Sequence, residues 1–165
     1  MPSLETILSL GIFNSPSMKN QHETLLEEYH KVRKSDLGLD QFTYILKIYP
    51  SLLVCMSDGK LDKEEWDGVL NISKGLALLY LDQMPNTNAE QVETLFRTEF
   101  RYLLENIDKR EKKFLNTLKS YLEEHPGDRE FGYEAMYLFA NAADGISADE
   151  QRTIDRLSSR LSLEY

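Results

Sequence analysis

Between Asp40 and Ser57 the chain leaves almost no polar face. Phe42, Tyr44, Ile45, Leu46, Ile48, Tyr49, Leu52, Leu53, Val54, Cys55 and Met56 crowd this stretch. A helix that is apolar nearly all round has to sit in the middle of a bundle. Pro50 falls inside it and removes one backbone donor, so a kink or a split is expected there. Elsewhere apolar residues recur at 3.6-residue spacing and period-2 alternation is rare, which predicts an all-α chain.

The remaining helices follow from the same periodicity. A short one is expected over Leu4–Ile12, ended by Gly11 and the Asn14-Ser15-Pro16 break. A more polar one runs from about Ser17 to Lys34, with Leu25, Leu26, Tyr29 and Val32 as its narrow apolar stripe. The next starts near Asp62 and carries Trp66, Val69, Leu70, Ser73, Leu76, Ala77 and Tyr80 on one side. After the loop Gln83–Asn88 come helices over about 88–106, 109–124, 129–143 and 148–161. About seven helices joined by short loops predict an antiparallel helical bundle. One domain spans 1–165, with 1–38 as an N-terminal helical extension, 40–81 as a first hairpin and 129–162 as a second.

At 165 residues such a domain buries roughly 70% of its unfolded surface and needs no disulfide or metal for stability. The formal charge is −9, from 28 Asp and Glu against 19 Lys and Arg. Phosphate backbones are bound through Lys and Arg, so this balance argues against a nucleic-acid partner. It favours cations or basic partner surfaces instead. The basic run Lys109-Arg110-Glu111-Lys112-Lys113 is interrupted by Glu111 and reads as a solvated helix face. Cys55 is the one cysteine, which leaves no internal disulfide and no pair for zinc. The N-terminus has no basic and then apolar leader, and no apolar run approaches the ~18 residues of a membrane span. The expected location is cytoplasmic.

One arrangement occurs twice. Met56-Ser57-Asp58-Gly59-Lys60-Leu61-Asp62-Lys63-Glu64-Glu65 has a counterpart in Ala142-Ala143-Asp144-Gly145-Ile146-Ser147-Ala148-Asp149-Glu150. In each, the most apolar helix of its half ends at Asp-Gly, one apolar residue follows, and then a cap residue stands three positions before a Glu. The second copy is one residue shorter between Gly and cap. Gly suits a left-handed helix end. Leu61 and Ile146 suit a hydrophobic staple, and Asp62/Glu65 and Ser147/Glu150 suit capping boxes. Thr87 and Glu90 have the same box spacing without Asp-Gly.

Turn architecture therefore accounts for every part except the repeated Asp before Gly. A carboxylate just past a helix C-terminus meets the negative end of the macrodipole. Repetition of that unfavourable placement, beside Asp62, Glu64, Glu65, Asp149 and Glu150, points to a compensating cation or partner. Carboxylate oxygens suit Ca²⁺ or Mg²⁺ rather than zinc or copper. The bound-cation and turn-only readings both stand at this point.

The paired Asp-Gly stretches resemble those of the TerB-like (tellurite resistance protein B) family, over roughly residues 40–162. The resemblance implies an all-helical fold with two related halves and a role in tellurite or chemical-stress response. It also implies Asp58, Glu65, Asp144 and Glu150 as metal-binding residues. Ser57 stands where the family carries a small residue, and Val54-Cys55-Met56 is bulkier than its Ala-rich pattern.

Other chemistries fit poorly. With Gly59 as the sixth position of a calcium-binding EF-hand loop, Glu65 falls at the twelfth, but Val54 and Met56 at the first and third supply no side-chain oxygen. Glu27-x-x-His30 has the spacing of di-iron bundles without the required second copy, and His22 and His30 read as solvated. Three scattered His residues and one Cys give no nucleophile–base pair, and no Gly-rich phosphate loop is present. Nothing supports an enzyme. The expectation is a non-catalytic stress-response protein with a divalent cation at its acidic hairpins, the alternative a ligand-free adaptor that engages a protein partner.

Overall fold

The computed structural model describes residues 20–142 and 145–163. Among them are seven α-helices and no strand: α1 (Gln21–Val32), α2 (Leu39–Cys55), α3 (Lys63–Tyr80), α4 (Ala89–Glu105), α5 (Ile107–Glu124), α6 (Arg129–Ala140) and α7 (Ala148–Leu161). The all-α bundle read from the periodicity is what the chain forms. Short 3₁₀ turns at Leu81–Gln83 and Pro126–Asp128 close α3 and open α6. Among the described residues, no helix is long and apolar enough to cross a membrane. The expected helix over Leu4–Ile12 lies outside the described residues, as do Ala143 and Asp144.

The core is organised on α2. Phe42, Ile45, Leu46, Tyr49, Leu52 and Val54 have no exposed surface, and α2 packs against α1, α4, α5, α6 and α7. The Tyr49 hydroxyl, in the middle of the bundle, donates to the Ile107 carbonyl at 2.8 Å. Pro50 does not split the helix; one continuous helix runs from Leu39 to Cys55. A mid-helix proline costs about 3 kcal/mol. Each fully buried Leu or Ile on either side stabilises the helix by about 2 kcal/mol, so packing outweighs the local break. The two halves of the repeat pair unequally: α2 lies mainly along α6, and α3 lies along α4.

Several side chains sit differently from their expected places. Val32 is 57% exposed because α1 turns His22, Leu25, Leu26 and Tyr29 inward instead. His22 is buried rather than solvated, edge-on to Tyr121 at 5.3 Å between ring centroids. His30 is half-buried, with Nε2 3.0 Å from the Leu37 carbonyl. The box at the start of α4 uses Asn88 and Gln91, not Thr87 and Glu90: Gln91 N–H donates to Asn88 Oδ1 at 2.8 Å, and Asn88 N–H to Gln91 Oε1 at 2.9 Å. Thr87 turns back and donates its hydroxyl to the Met84 carbonyl. α6 ends at Ala140, short of the expected 143.

A buried polar clamp ties α1 to α4. Glu99 is 2% exposed on the otherwise apolar stripe of Val92, Phe96, Phe100 and Leu103. Arg33 engages it with both arms, Nε at 3.2 Å from Oε2 and Nη2 at 3.1 Å from Oε1. The Tyr29 hydroxyl donates to the same carboxylate. The Arg33 guanidinium also lies over the Tyr102 ring at 4.3 Å, and the Glu99 carboxylate raises its pKa further.

Arg33→Met is expected to lower the unfolding free energy by about 2 kcal/mol, because Glu99 is left buried without its counter-charge. The value falls below the usual 3–5 kcal/mol for a broken buried pair because Arg33 itself is partly solvated. Arg33→Lys should recover only part of it, since an ammonium cannot span both oxygens. Urea denaturation of the two variants measures both.

Candidate functional site

The first corner joins α2 to α3. Past Cys55, the Met56 and Ser57 amides bond back to helix carbonyls, and Gly59 N–H donates to the Met56 carbonyl at 2.9 Å. Gly59 has φ +81°, a conformation that costs a side-chain-bearing residue about 1 kcal/mol or more. Asp58 is exposed, and its Oδ1 accepts the Lys60 N–H at 2.9 Å. That bond gives the aspartate a local role in the turn. Leu61 packs against the core as the staple residue. The predicted capping box is present: Glu65 N–H donates to Asp62 Oδ1 at 2.8 Å, and Asp62 N–H to Glu65 Oε2 at 3.1 Å.

The second corner joins α6 to α7 in the same way. Asn141 and Ala142 amides bond back to Tyr137 and Phe139, Gly145 has φ +97°, and Ile146 packs on the core. Glu150 N–H donates to Ser147 Oγ at 3.1 Å, and Ser147 N–H to Glu150 Oε1 at 2.9 Å. Asp149 is exposed and ion-paired to Arg152 on the same helix. Asp144, the fourth residue implied as a ligand, lies outside the described residues.

The two corners meet at the end of α2. A Cβ built on Gly68 of α3 would stand 3.8 Å from Ala142 Cβ, so the start of the third helix runs close to the end of the sixth. Glu65 and Glu150 are both buried, at 6% and 9% exposure, and Glu150 is near enough for its charge to act on Glu65. Burial pushes the Glu65 carboxyl up to about 7, with the charges of Asp62, Glu150 and Asp58 adding to it and the Asp62 N–H bond opposing it. Burial also pushes the Cys55 thiol up, reinforced by Glu65, Glu150 and Asp62. A buried thiol surrounded by carboxylates stays protonated and is a poor nucleophile or ligand.

Each capping box occupies one oxygen of its glutamate, which leaves Glu65 Oε1 and Glu150 Oε2 outside those bonds. Of the four implied ligands, the fold therefore brings Glu65, Glu150 and Asp58 into one electrostatic neighbourhood. Among the described residues, no group of three His, Cys, Asp or Glu has the arrangement to hold a metal ion. The convergence of the corners had no signal in the sequence, since it depends on how α3 meets α6.

Gly59→Ala and Gly145→Ala should each lower stability by about 1 kcal/mol, read as a drop in melting temperature. Neither site crowds a Cβ, so the left-handed backbone is the sole penalty. Glu65 makes a separate prediction. Its folded pKa lies above its unfolded one, so its contribution is complete below about pH 4.5 and is lost as pH rises through about 7. The wild type is expected to lose on the order of 2 kcal/mol from this group over that window. Glu65→Gln, which keeps an acceptor for the Asp62 N–H, should show a shallower decline in urea titrations across the same pH range.

No family model, no curated protein and no solved structure matches the chain.

Proposed function

We propose that this chain is a TerB-like stress-response protein whose paired acidic corners attract a divalent cation, Ca²⁺ or Mg²⁺. One observation carries the reading: carboxylates from both hairpins share the end of α2, and Glu65 is pushed up to about 7 there. A carboxyl that resists ionisation through burial, with negative neighbours adding to it, is stabilised in its charged form by a nearby positive charge. Glu65 and Glu150 offer one oxygen each outside the capping bonds, and Asp58 is exposed beside them. Two such oxygens do not make a dry cage. The donor set suits a hydrated cation held largely by charge, as Mg²⁺ is when it keeps part of its water shell. Asp144 is the remaining donor the reading assigns.

The second reading is a non-catalytic adaptor in which both motifs are turn architecture alone. It is favoured by the local partner that each described motif residue already has: the Lys60 amide for Asp58, and the cap amides for Glu65 and Glu150.

Calorimetric titration with Ca²⁺, Mg²⁺ and Mn²⁺ at pH 8, together with melting curves, separates the two. Cation binding predicts a metal-dependent rise in melting temperature that is lost in the Asp58→Asn, Asp144→Asn double variant. It also predicts weaker binding at pH 6, where the Glu65 carboxyl is protonated. Absence of heat and of any shift at millimolar metal would leave the adaptor.

A further inference from the structure

After Leu39, the residues of α2 that stay at least partly open to solvent are Asp40, Thr43, Tyr44 and Lys47. They stand at i, i+3, i+4 and i+7, so the enclosed helix keeps one stripe uncovered. That stripe lines a cleft of about 370 Å³ together with Leu79 and Tyr80 of α3 and Tyr121 of α5. The Tyr44 and Tyr80 rings meet edge to face there, 6.2 Å between centroids.

The two ends of the stripe carry opposite charges. Asp40 is exposed, and its charge reaches the Tyr80 and Tyr121 hydroxyls. Lys47, about two turns on, has a side chain only 15% exposed. An ammonium so enclosed normally has acceptors for its three donors. Its carboxylate neighbour, Asp128 Oδ2, stands 3.7 Å away, beyond hydrogen-bond length. That same oxygen already accepts the Tyr121 hydroxyl at 2.8 Å. The Tyr44 and Phe131 rings lie 5.0 and 5.3 Å from Nζ and favour its charge without taking up its donors.

Asp40 alone is accounted for by its place in the first turn, where the helix dipole favours a negative charge. Lys47 has no such local cause, since it sits mid-helix in the most apolar segment of the chain. Lys47 and Asp128 nearly cancel, so Asp40 leaves the cleft net negative and unsuited to a simple anion. A simple cation leaves the donors of Lys47 unmet. A ligand that matches both ends has to carry both charges.

We propose that the cleft over Asp40 and Lys47 binds a small organic zwitterion, with its ammonium at Asp40, its carboxylate at Lys47 and its aliphatic body against Leu79 and the Tyr44 and Tyr80 rings. Seven residues span about 10 Å along the helix axis. The ligand's charges are therefore spaced, as at the two ends of an ω-amino acid, rather than adjacent as in an α-amino acid. The cleft is at the small end of the size range of ligand sites, which suits such a molecule.

NMR titration of the isotopically labelled full chain with 6-aminohexanoate, whose charges lie about 8 Å apart, tests it. Hexanoate and hexylammonium serve as controls that carry one charge each. Saturable shifts are expected at the Tyr44, Tyr80 and Tyr121 rings and the Lys47 side chain. The affinity should exceed that of either control by about tenfold. Asp40→Asn should erase the advantage over hexanoate, and Lys47→Met the advantage over hexylammonium. Asp40 is exposed, so its variant keeps the test valid even where loss of Lys47 beside Asp128 weakens the fold. A control that binds as tightly as the zwitterion overturns the proposal, as does a response centred elsewhere or no saturable response at all.

Discussion

The bundle is arranged around α2, a helix apolar on nearly every side and buried along most of its length. The α2 segment has so little polar surface that the other helices must enclose it, and α1, α4, α5, α6 and α7 do so. Its burial carries Pro50 through an uninterrupted helix. It also fixes where the chain can turn, because an enclosed helix has to end at a surface where its last carbonyls find partners. Cys55 marks that end, and the two Asp-Gly corners lie around it.

The elements with local causes were legible from the residues. Asp62 with Glu65 and Ser147 with Glu150 stand three positions apart, so each capping box is written within one helical turn, and both formed. Gly59 and Gly145 took the left-handed backbone that a helix end requires. What required knowledge of another helix was not legible. Val32 matched the apolar stripe of α1, yet the neighbouring helices receive His22 instead. Glu99 was hidden for a related reason. It interrupts an apolar stripe at helical spacing, a signal present in the sequence, but its partners Tyr29 and Arg33 come from a helix some 70 positions earlier.

The acidic corners show how the same groups serve two demands. A capping glutamate must be close to the backbone to accept its amide, and at these corners closeness to the backbone means burial. Burial next to other carboxylates then makes ionisation costly. Glu65 meets both conditions, which is why its proton affinity rises although it accepts a hydrogen bond that favours the charged form. Turn geometry and unusual electrostatics thus have one origin, the convergence of two helix starts on the end of α2.

The clamp between Arg33 and Glu99 bears on where the folding unit begins. The first of the two expected hairpins starts at residue 40, which would make α1 an appendage. Yet the helix supplies the base of a cation that neutralises a carboxylate set deep in α4, and Tyr29 fills the space between Phe42, Tyr102 and Phe114. A chain trimmed to residues 40–162 would enclose a naked anion at Glu99 and a ring-sized void where Tyr29 sits. The first helix therefore belongs to the cooperative unit, and the smallest autonomous form of this protein includes it.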